Sequence, residues 1–156
     1  MQLDDLDRRI LTALQKDAGE SIEKLGERIG LSRNACWSRI KRLEEAGVLT
    51  ARIALVDPAK VNLGLSVFIA VKTAEHDPEW AETFARETSA MPEILGVYRT
   101  AGELDYIIRA RVPDVAAYDA LYQRLTRKVR LKDVSATFVM QEIKETHALP
   151  LIYAGD

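Results

Sequence analysis

The stretch that decides the fold is SIEKLGERIGLSRNACWSRIKRLEEAG, residues 21–47. Its first half has apolar residues at the spacing of one helical face: Ile22, Leu25 and Ile29. Ser21 can cap this helix, and Gly30 can adopt the left-handed conformation that ends it. Because Ser32 can cap a further helix immediately afterwards, the stretch predicts two helices separated by the Gly30-Leu31-Ser32 turn.

The second of these helices is locally basic. Four basic residues and no acidic residue lie between positions 33 and 42, although the whole chain has 22 Lys+Arg against 24 Asp+Glu. At about 100° per residue, Cys36, Ile40 and Leu43 share one face, which can pack against the preceding helix. The opposite face then carries polar and cationic side chains.

Amide, hydroxyl and cationic side chains on an exposed helix can pair with base edges in the major groove of DNA or with its phosphates. The candidate DNA-binding residues are Ser32, Arg33, Asn34, Ser38, Arg39, Lys41 and Arg42. The alternative is an ordinary amphipathic helix with a solvated charged face. Agreement among the cap, the turn, the apolar register and the local charge favours a helix-turn-helix DNA reader.

Composition limits the remaining possibilities. The chain has 156 residues, 47% of them hydrophobic and 29% charged, which is enough for one medium domain or two small ones. A net charge of −2 argues against non-specific coating of nucleic acid and for a focused basic site. The single cysteine, Cys36, is predicted to be a small core residue. With no apolar signal core and no membrane-length apolar run, we expect a soluble cytoplasmic protein.

The pattern along the chain predicts an α+β protein. Asp4 or Asp5 can cap a first helix, so the expected helices of the N-terminal domain are 4–17, 21–29 and 32–46. Short extended pieces are expected at 48–57. The predicted domains are a helix-turn-helix domain at 1–50, a short extended linker at 51–62 and a ferredoxin-like domain at 63–156.

The second domain shows a strand-like run at 63–71, a helix opening at Asp77-Pro78, a predicted hairpin over 94–112, a helix capped by Asp114 and a last strand at 134–143. The order βαββαβ is the ferredoxin-like split motif, in which two helices cover one face of an antiparallel sheet. The helix after Asp114 is expected to turn inward Val115, Tyr118, Leu121, Tyr122 and Leu125.

The other face of the predicted sheet has no cover within the chain. Phe68 and Ala70 alternate with Val67 and Ile69, so both faces of the first strand are apolar. A second copy is the simplest cover, which predicts a homodimer. Two reading heads related by a two-fold axis also suit paired DNA half-sites, and a small molecule that favours one assembly state would regulate DNA binding.

Four separated motifs resemble the Lrp/AsnC family of leucine-responsive, or feast/famine, transcriptional regulators: LDDLDRRILTALQKD, GLSRNACWSRIKRLEEAGVL, AGELDYIIRARV and HALPL. The resemblance covers essentially the whole chain. It implies a dimer built through the C-terminal sheets, commonly assembled into tetramers or octamers, with amino acids as effectors. Within the family, the sequence looks most like a cysteine-responsive branch.

The segment Ala101-Gly102-Glu103-Leu104-Asp105 matches the effector loop of that family. A free amino acid needs an acidic acceptor for its ammonium and backbone N–H donors for its carboxylate. Gly102 allows close approach of the main chain, and Glu103 or Asp105 can accept from the ammonium. The candidate effector-binding residues are Ala101, Gly102, Glu103 and Asp105, and the resemblance adds Thr137 and Val139 across a subunit contact. Alternatively, the segment is a hairpin turn with solvated acids.

Two other functions share parts of this pattern. Small ferredoxin-like hydrolases bind phosphate with a glycine-rich loop, but the corresponding segment here, KTAEHDPEW, is acidic and lacks glycine. His76 and His147 are isolated, so we predict no catalytic residue, no metal ligand and no cofactor. An architectural, nucleoid-type DNA-binding protein would share the reading head and the multimerisation but would need no effector.

Overall fold

The chain folds into two compact units. The computed structural model describes residues 2–73 and 77–154. The first unit comprises residues 1–55 together with 144–156, and the second comprises residues 56–143. Within the part of the chain that is described, no helix is long and apolar enough to cross a membrane.

Three helices make up the first unit: α1 (Asp5–Lys16), α2 (Ile22–Ile29) and α3 (Arg33–Glu45). Each begins after a side chain that accepts a hydrogen bond from a backbone N–H in the first turn: Asp4, Ser21 and Ser32. All three helices are those expected from the sequence, with ends that differ by one residue at most. Their inward faces form a buried apolar core: Ile10, Leu11, Ala13, Leu14, Leu25, Ile29, Cys36, Ile40 and Leu43.

The C-terminal residues pack on α1, a contact that the sequence did not predict. The side chain of Gln15 donates to the carbonyl of Leu149 at 3.2 Å and accepts from its N–H at 2.6 Å. Arg8 Nη1 donates to the carbonyl of Ala154 at 2.8 Å. The structure therefore groups this segment with the N-terminal helices, whereas the predicted second domain ran over 63–156.

The second unit contains six elements in the order βαββαβ: β1 (Leu65–Lys72), α4 (Pro78–Ser89), β2 (Ile94–Arg99), β3 (Tyr106–Val112), α5 (Val115–Lys128) and β4 (Asp133–Phe138). The strands form one antiparallel sheet in the order β2-β3-β1-β4. This is the predicted ferredoxin-like topology. As expected, Asp77 caps α4 by accepting from the N–H of Trp80 at 2.8 Å, and Pro78 occupies the first turn.

The two helices cover one face of the sheet. Val67, Ile69 and Val71 of β1 point into the core on that side. In this core the ring centroids of Phe84 of α4 and Tyr106 of β3 are 4.7 Å apart. The opposite face, which we call the open face, is lined by the alternate residues: Ser66, Phe68, Ala70, Tyr98, Ile107, Arg109, Arg111, Ser135 and Thr137. Its larger side chains include Phe68, which is 41% exposed.

Two of the predicted extended segments differ in the structure. The last strand ends at Phe138 instead of residue 143. Its partner β1 begins at Leu65, and the last bond between them runs from the N–H of Val139 to the carbonyl of Ser66. Beyond this bond, β1 provides no backbone with which residues 140–143 could pair. Residues 50–57 have no regular secondary structure, so the extended pieces predicted there join no sheet.

The inward face of α5 is narrower than predicted. It consists of the buried Leu121 and Leu125 with Tyr118 partly buried against them. Val115 is 60% exposed and Tyr122 is 37% exposed, although both were expected to face inward. Tyr122 lies about 100° around the helix from Leu121, which carries it to the edge of the covered surface.

Candidate DNA interface and effector loop

The turn between α2 and α3 is very tight. Gly30 ends α2 in the left-handed conformation with φ of 79°, as its position predicted. The N–H of Leu31 donates back to the carbonyl of Gly26 at 2.8 Å. A Cβ atom on Gly26 would lie 2.7 Å from the carbonyl oxygen of Leu31, so only glycine lets α2 approach the turn this closely. This close approach fixes where α3 begins.

The face of α3 that is opposite the core is open to solvent. Asn34, Ser38 and Lys41 are all exposed and lie along one side of the helix. Lys41 donates to Glu44 at 2.7 Å, and this hydrogen bond is the main reason that the pKa of Glu44 lies below its usual value. Exposed ion pairs contribute about 0–1 kcal/mol, so a competing acceptor can take over the ammonium. Ser32 and Arg33, at the start of the helix, are exposed as well.

Arg39 and Arg42 have partners that the sequence analysis did not foresee. Both guanidinium groups contact Asp7 of α1, whose side chain is completely buried. Arg42 Nη2 lies 2.8 Å from Oδ1 and 2.6 Å from Oδ2 of that carboxylate. Arg39 Nη1 lies 2.8 Å from Asp7 Oδ1 and 2.6 Å from Asp4 Oδ2. We call these four residues the acid–arginine network.

The network corrects one prediction. Arg42 was placed with Asn34 on the face that is free for DNA, but it lies at the border of that face, anchored to α1. Its side chain is still 51% exposed, whereas that of Arg39 is 26% exposed. The hydrogen bond from Arg39 lowers the pKa of the Asp4 carboxyl, and in return Asp4 raises the pKa of the guanidinium.

Two residues of this surface were missed in the site prediction. Asp7 was not singled out, because acids in the first turn of a helix are ordinary, and Asp5 is another in this turn. The spacing of Asp7, three and four residues from the apolar Ile10 and Leu11, was the available signal that it faces inward. Trp37 was not among the candidate DNA-binding residues, and it is 51% exposed on α3. An exposed aromatic ring on this helix can contact the methyl group of thymine or a sugar.

Cys36 is the core residue that was predicted. Its side chain is fully buried between the helices, and burial raises the pKa of the thiol. His147 is exposed, and His76 lies outside the described residues. Among the residues that are described, no group of three His, Cys, Asp or Glu side chains could hold a metal ion.

The loop between β2 and β3 contains four of the predicted effector residues. Ala101, Gly102 and Glu103 are exposed, and Gly102 has a φ of +148°. Residues with a side chain rarely adopt that backbone conformation. Glu103 projects with 87% of its side chain exposed and accepts from Lys72 Nζ at 3.1 Å. The loop therefore presents an acidic side chain beside a backbone corner whose conformation favours glycine.

Asp105 has a structural partner. Its Oδ2 accepts the N–H of Thr73 at 2.8 Å, and its own N–H donates to the carbonyl of Val71 at 3.1 Å. The carbonyl of Asp105 accepts from the N–H of Thr100 at 2.9 Å. The first two bonds tie the base of the loop to the end of β1, and the third joins the two ends of the loop. Glu103 is consequently the better-placed acid for a ligand, and Asp105 holds the loop that carries it.

Thr137 and Val139 lie apart from this loop within one chain. Thr137 is on the open face opposite Phe68, and Val139 is beside Ser66. The loop adjoins the other end of β1, at Lys72. At about 3.3 Å per residue, roughly 13 Å of strand separate the Thr137 position from that end. A single chain does not bring the six predicted effector residues together.

A capped three-helix unit with an exposed hydrogen-bonding face, followed by a ferredoxin-like unit, defines a helix-turn-helix protein of the α+β class. Residues 3–44 match the model of the AsnC-type helix-turn-helix domain, and residues 66–149 match the Lrp/AsnC ligand binding domain. The chain belongs to the Lrp/AsnC family. Its members are DNA-binding transcriptional regulators and not enzymes, which sets aside the hydrolase alternative.

Individual relatives match over nearly the whole chain. The DNA-binding transcriptional activator DecR of Escherichia coli is 44% identical over 96% of this chain and 99% of its own length. The glutamate uptake regulatory protein of Zymomonas mobilis is 43% identical over 99% of this chain and 94% of its own length. The solved complex of the regulator NMB0573 with L-Met from Neisseria meningitidis is 36% identical, with a TM-score of 0.92 over 97% of this chain and 98% of that one.

Proposed function

We propose that this regulator binds specific DNA sequences through α3 and that an amino acid modulates its DNA binding or its assembly. The observation that carries the proposal is the exposed face of α3, where Asn34, Ser38 and Lys41 present an amide, a hydroxyl and an ammonium side by side. Such groups read base edges in the major groove, since asparagine pairs with adenine and lysine with guanine.

The remaining contacts follow from position. Ser32 and Arg33 begin the helix and are proposed to contact phosphates, as is the exposed edge of Arg42. Arg39, which is mostly buried and bonded to two carboxylates, is proposed to hold α3 against α1 instead of touching DNA.

The proposed effector site is the loop around Gly102 and Glu103. The relative crystallised with L-Met supports an amino acid as the class of ligand. Cysteine is our single candidate, and it is supported by the sequence resemblance described above. Thr137 and Val139 would complete the pocket from a second subunit.

We further propose a homodimer formed through the open face, with tetramers or octamers built from it, acting in the cytoplasm where the DNA is. Phe68 and Tyr98, which are exposed on the sheet face that α4 and α5 leave uncovered, support this assembly. Sedimentation velocity tests it. Phe68→Glu should shift the protein to monomer, while Val115→Glu, which places the same charge on an exposed apolar site of α5, should not.

DNA binding is tested by selecting preferred duplexes from a random-sequence pool and measuring affinity by fluorescence anisotropy. Lys41→Ala is expected to weaken binding to the selected duplex by about 1–3 kcal/mol, the usual value of a good base contact. Lys132→Ala removes the same charge from an exposed site in the other unit and serves as the control. Equal affinity of both variants would remove Lys41 from the interface.

Effector binding is tested by thermal shift with each of the twenty amino acids, because a ligand that binds only the folded state raises the melting temperature. A response to cysteine that is lost in Glu103→Ala and kept in Glu79→Ala would support the site. A response to another amino acid would replace cysteine as the candidate. Silence across the panel, together with equal affinity for unrelated duplexes, would favour the architectural alternative.

A further inference from the structure

We propose that Asp7 is a positioning residue for DNA recognition: it holds the guanidinium of Arg42 so that the remaining N–H donors of that group face a DNA phosphate. The inference rests on the proposed function, since it requires that α3 faces DNA. Asp7 belongs to α1 and is fully buried, so it touches no DNA itself.

The geometry of the contact between Asp7 and Arg42 supports this proposal. One guanidinium nitrogen of Arg42, Nη2, contacts both oxygens of Asp7, at 2.8 and 2.6 Å. A guanidinium has five N–H donors in a rigid plane, so a contact through Nη2 leaves the N–H groups of Nε and Nη1, which flank Nη2 on its two sides, for other acceptors. The side chain is 51% exposed, which leaves room for an acceptor from solvent or from DNA at these remaining donors.

Holding Arg42 in place also lowers the conformational entropy that its side chain loses when it binds a phosphate. A free surface arginine loses rotamer freedom when it binds a phosphate, and this loss weakens the contact. Arg42 is already held in one orientation by a carboxylate on a different helix. Because Asp7 also accepts from Arg39, the buried carboxylate faces two cations instead of one. Since Arg39 also contacts Asp4, the network pairs two carboxylates with two guanidinium groups, and the remaining N–H donors of Arg42 can still bind a phosphate.

A role of Asp7 through its charge and a role in positioning Arg42 predict opposite changes in DNA affinity when Asp7 is replaced. Removing an acid near a DNA-binding surface should strengthen binding to a polyanion. Removing an acid that orients a phosphate-binding arginine should weaken it. Asp5→Asn provides the matched control, because Asp5 lies in the same helical turn, is exposed, and carries the same charge.

The experiment measures the affinity of the full chain for a duplex selected by the wild-type protein. We expect Asp7→Asn to bind roughly tenfold more weakly, the loss that corresponds to about 1.4 kcal/mol, and Asp5→Asn to bind as tightly as the wild type or more tightly. Arg42→Lys keeps the charge but cannot hold Asp7 with one arm and a phosphate with another. Its loss should match that of Asp7→Asn, and the double variant should lose no more than either single variant.

Two results would overturn the inference while leaving the proposed function intact. One is an Asp7→Asn variant that binds the selected duplex as Asp5→Asn does. The other is an Asp7→Asn loss that persists undiminished in the Arg42→Lys background, because Asp7 would then act through the fold. Thermal melts of each variant identify such a loss of folding. If the wild-type protein selects no duplex, the proposed function and this inference fail together.

Discussion

Gly26 offers the sharpest test of how the reading head is built. In an isolated helix, replacing an interior glycine with alanine stabilises by about 1 kcal/mol. The structure predicts the reverse at this position, because the added Cβ would lie 2.7 Å from the carbonyl oxygen of Leu31. That distance falls short of an ordinary contact by about 0.7 Å, and the obstacle is backbone, which cannot rotate away.

Overpacking of this kind costs about 1–3 kcal/mol. After the gain in helix propensity is subtracted, we expect Gly26→Ala to lose about 1 kcal/mol net, which lowers the melting temperature of a small domain by about 4–8 °C. The displaced turn contains Ser32, the cap of α3. Affinity for DNA should therefore fall by more than the loss of stability alone would produce.

The assay combines urea unfolding, monitored by the circular dichroism of the helices, with anisotropy on the selected duplex. Glu27→Ala, at the adjacent exposed position of α2, is the control and should change neither quantity appreciably. A Gly26→Ala variant that is as stable as the wild type and binds DNA equally well would refute the close approach of α2 to the turn.

Three further outcomes are expected. Arg39 keeps the pKa of Asp4 below its usual value, so the pair stabilises the fold above about pH 4 and that contribution is lost as the pH falls through the lowered pKa. Asp4→Asn, which keeps a capping group, should melt earlier than the wild type at pH 7, and the difference should shrink as the pH falls through the lowered pKa of Asp4. Cys36 should resist a thiol reagent in the native protein and react fully in guanidinium; rapid native labelling would contradict its burial. Gln15→Ala removes two hydrogen bonds to Leu149 and should cost about 1 kcal/mol in urea unfolding, whereas no change would show that the C-terminal contact is not stabilising.

The reading head was predictable from sequence because local chemistry determines it. Ser21, Gly30 and Ser32 each act within one turn of the chain, and their capping and left-handed geometries follow from residue type. The topology of the second unit was predictable for the same reason, since caps and strand periods mark its elements in order. DNA contact by individual residues of α3 and ligand contact at the loop remain predictions.

The partners of charged side chains were not predictable in this way. A helical wheel gives the direction of Arg42 but not the residue that meets it, and Asp7 is 35 positions away in the chain. Asp105 shows the same limit. Its place in an acidic loop suggested a ligand acceptor, yet its carboxylate accepts a backbone N–H from Thr73, which only the pairing of β1 with β3 brings near.

The separation of the effector residues has a consequence for regulation. Glu103 lies near the Lys72 end of β1, whereas Thr137 pairs with Phe68 at the middle of that strand, so a proposed pocket that includes both would draw them from different chains. A ligand that bridges two chains binds the assembled state better than the separate one, and by linkage it stabilises the assembly as much as the assembly strengthens its binding. Effector affinity would then rise with protein concentration. Because each chain carries one α3, a change in assembly would change the number of helix-turn-helix units that can bind DNA together. The effector would thus alter DNA binding without any direct contact between ligand and DNA.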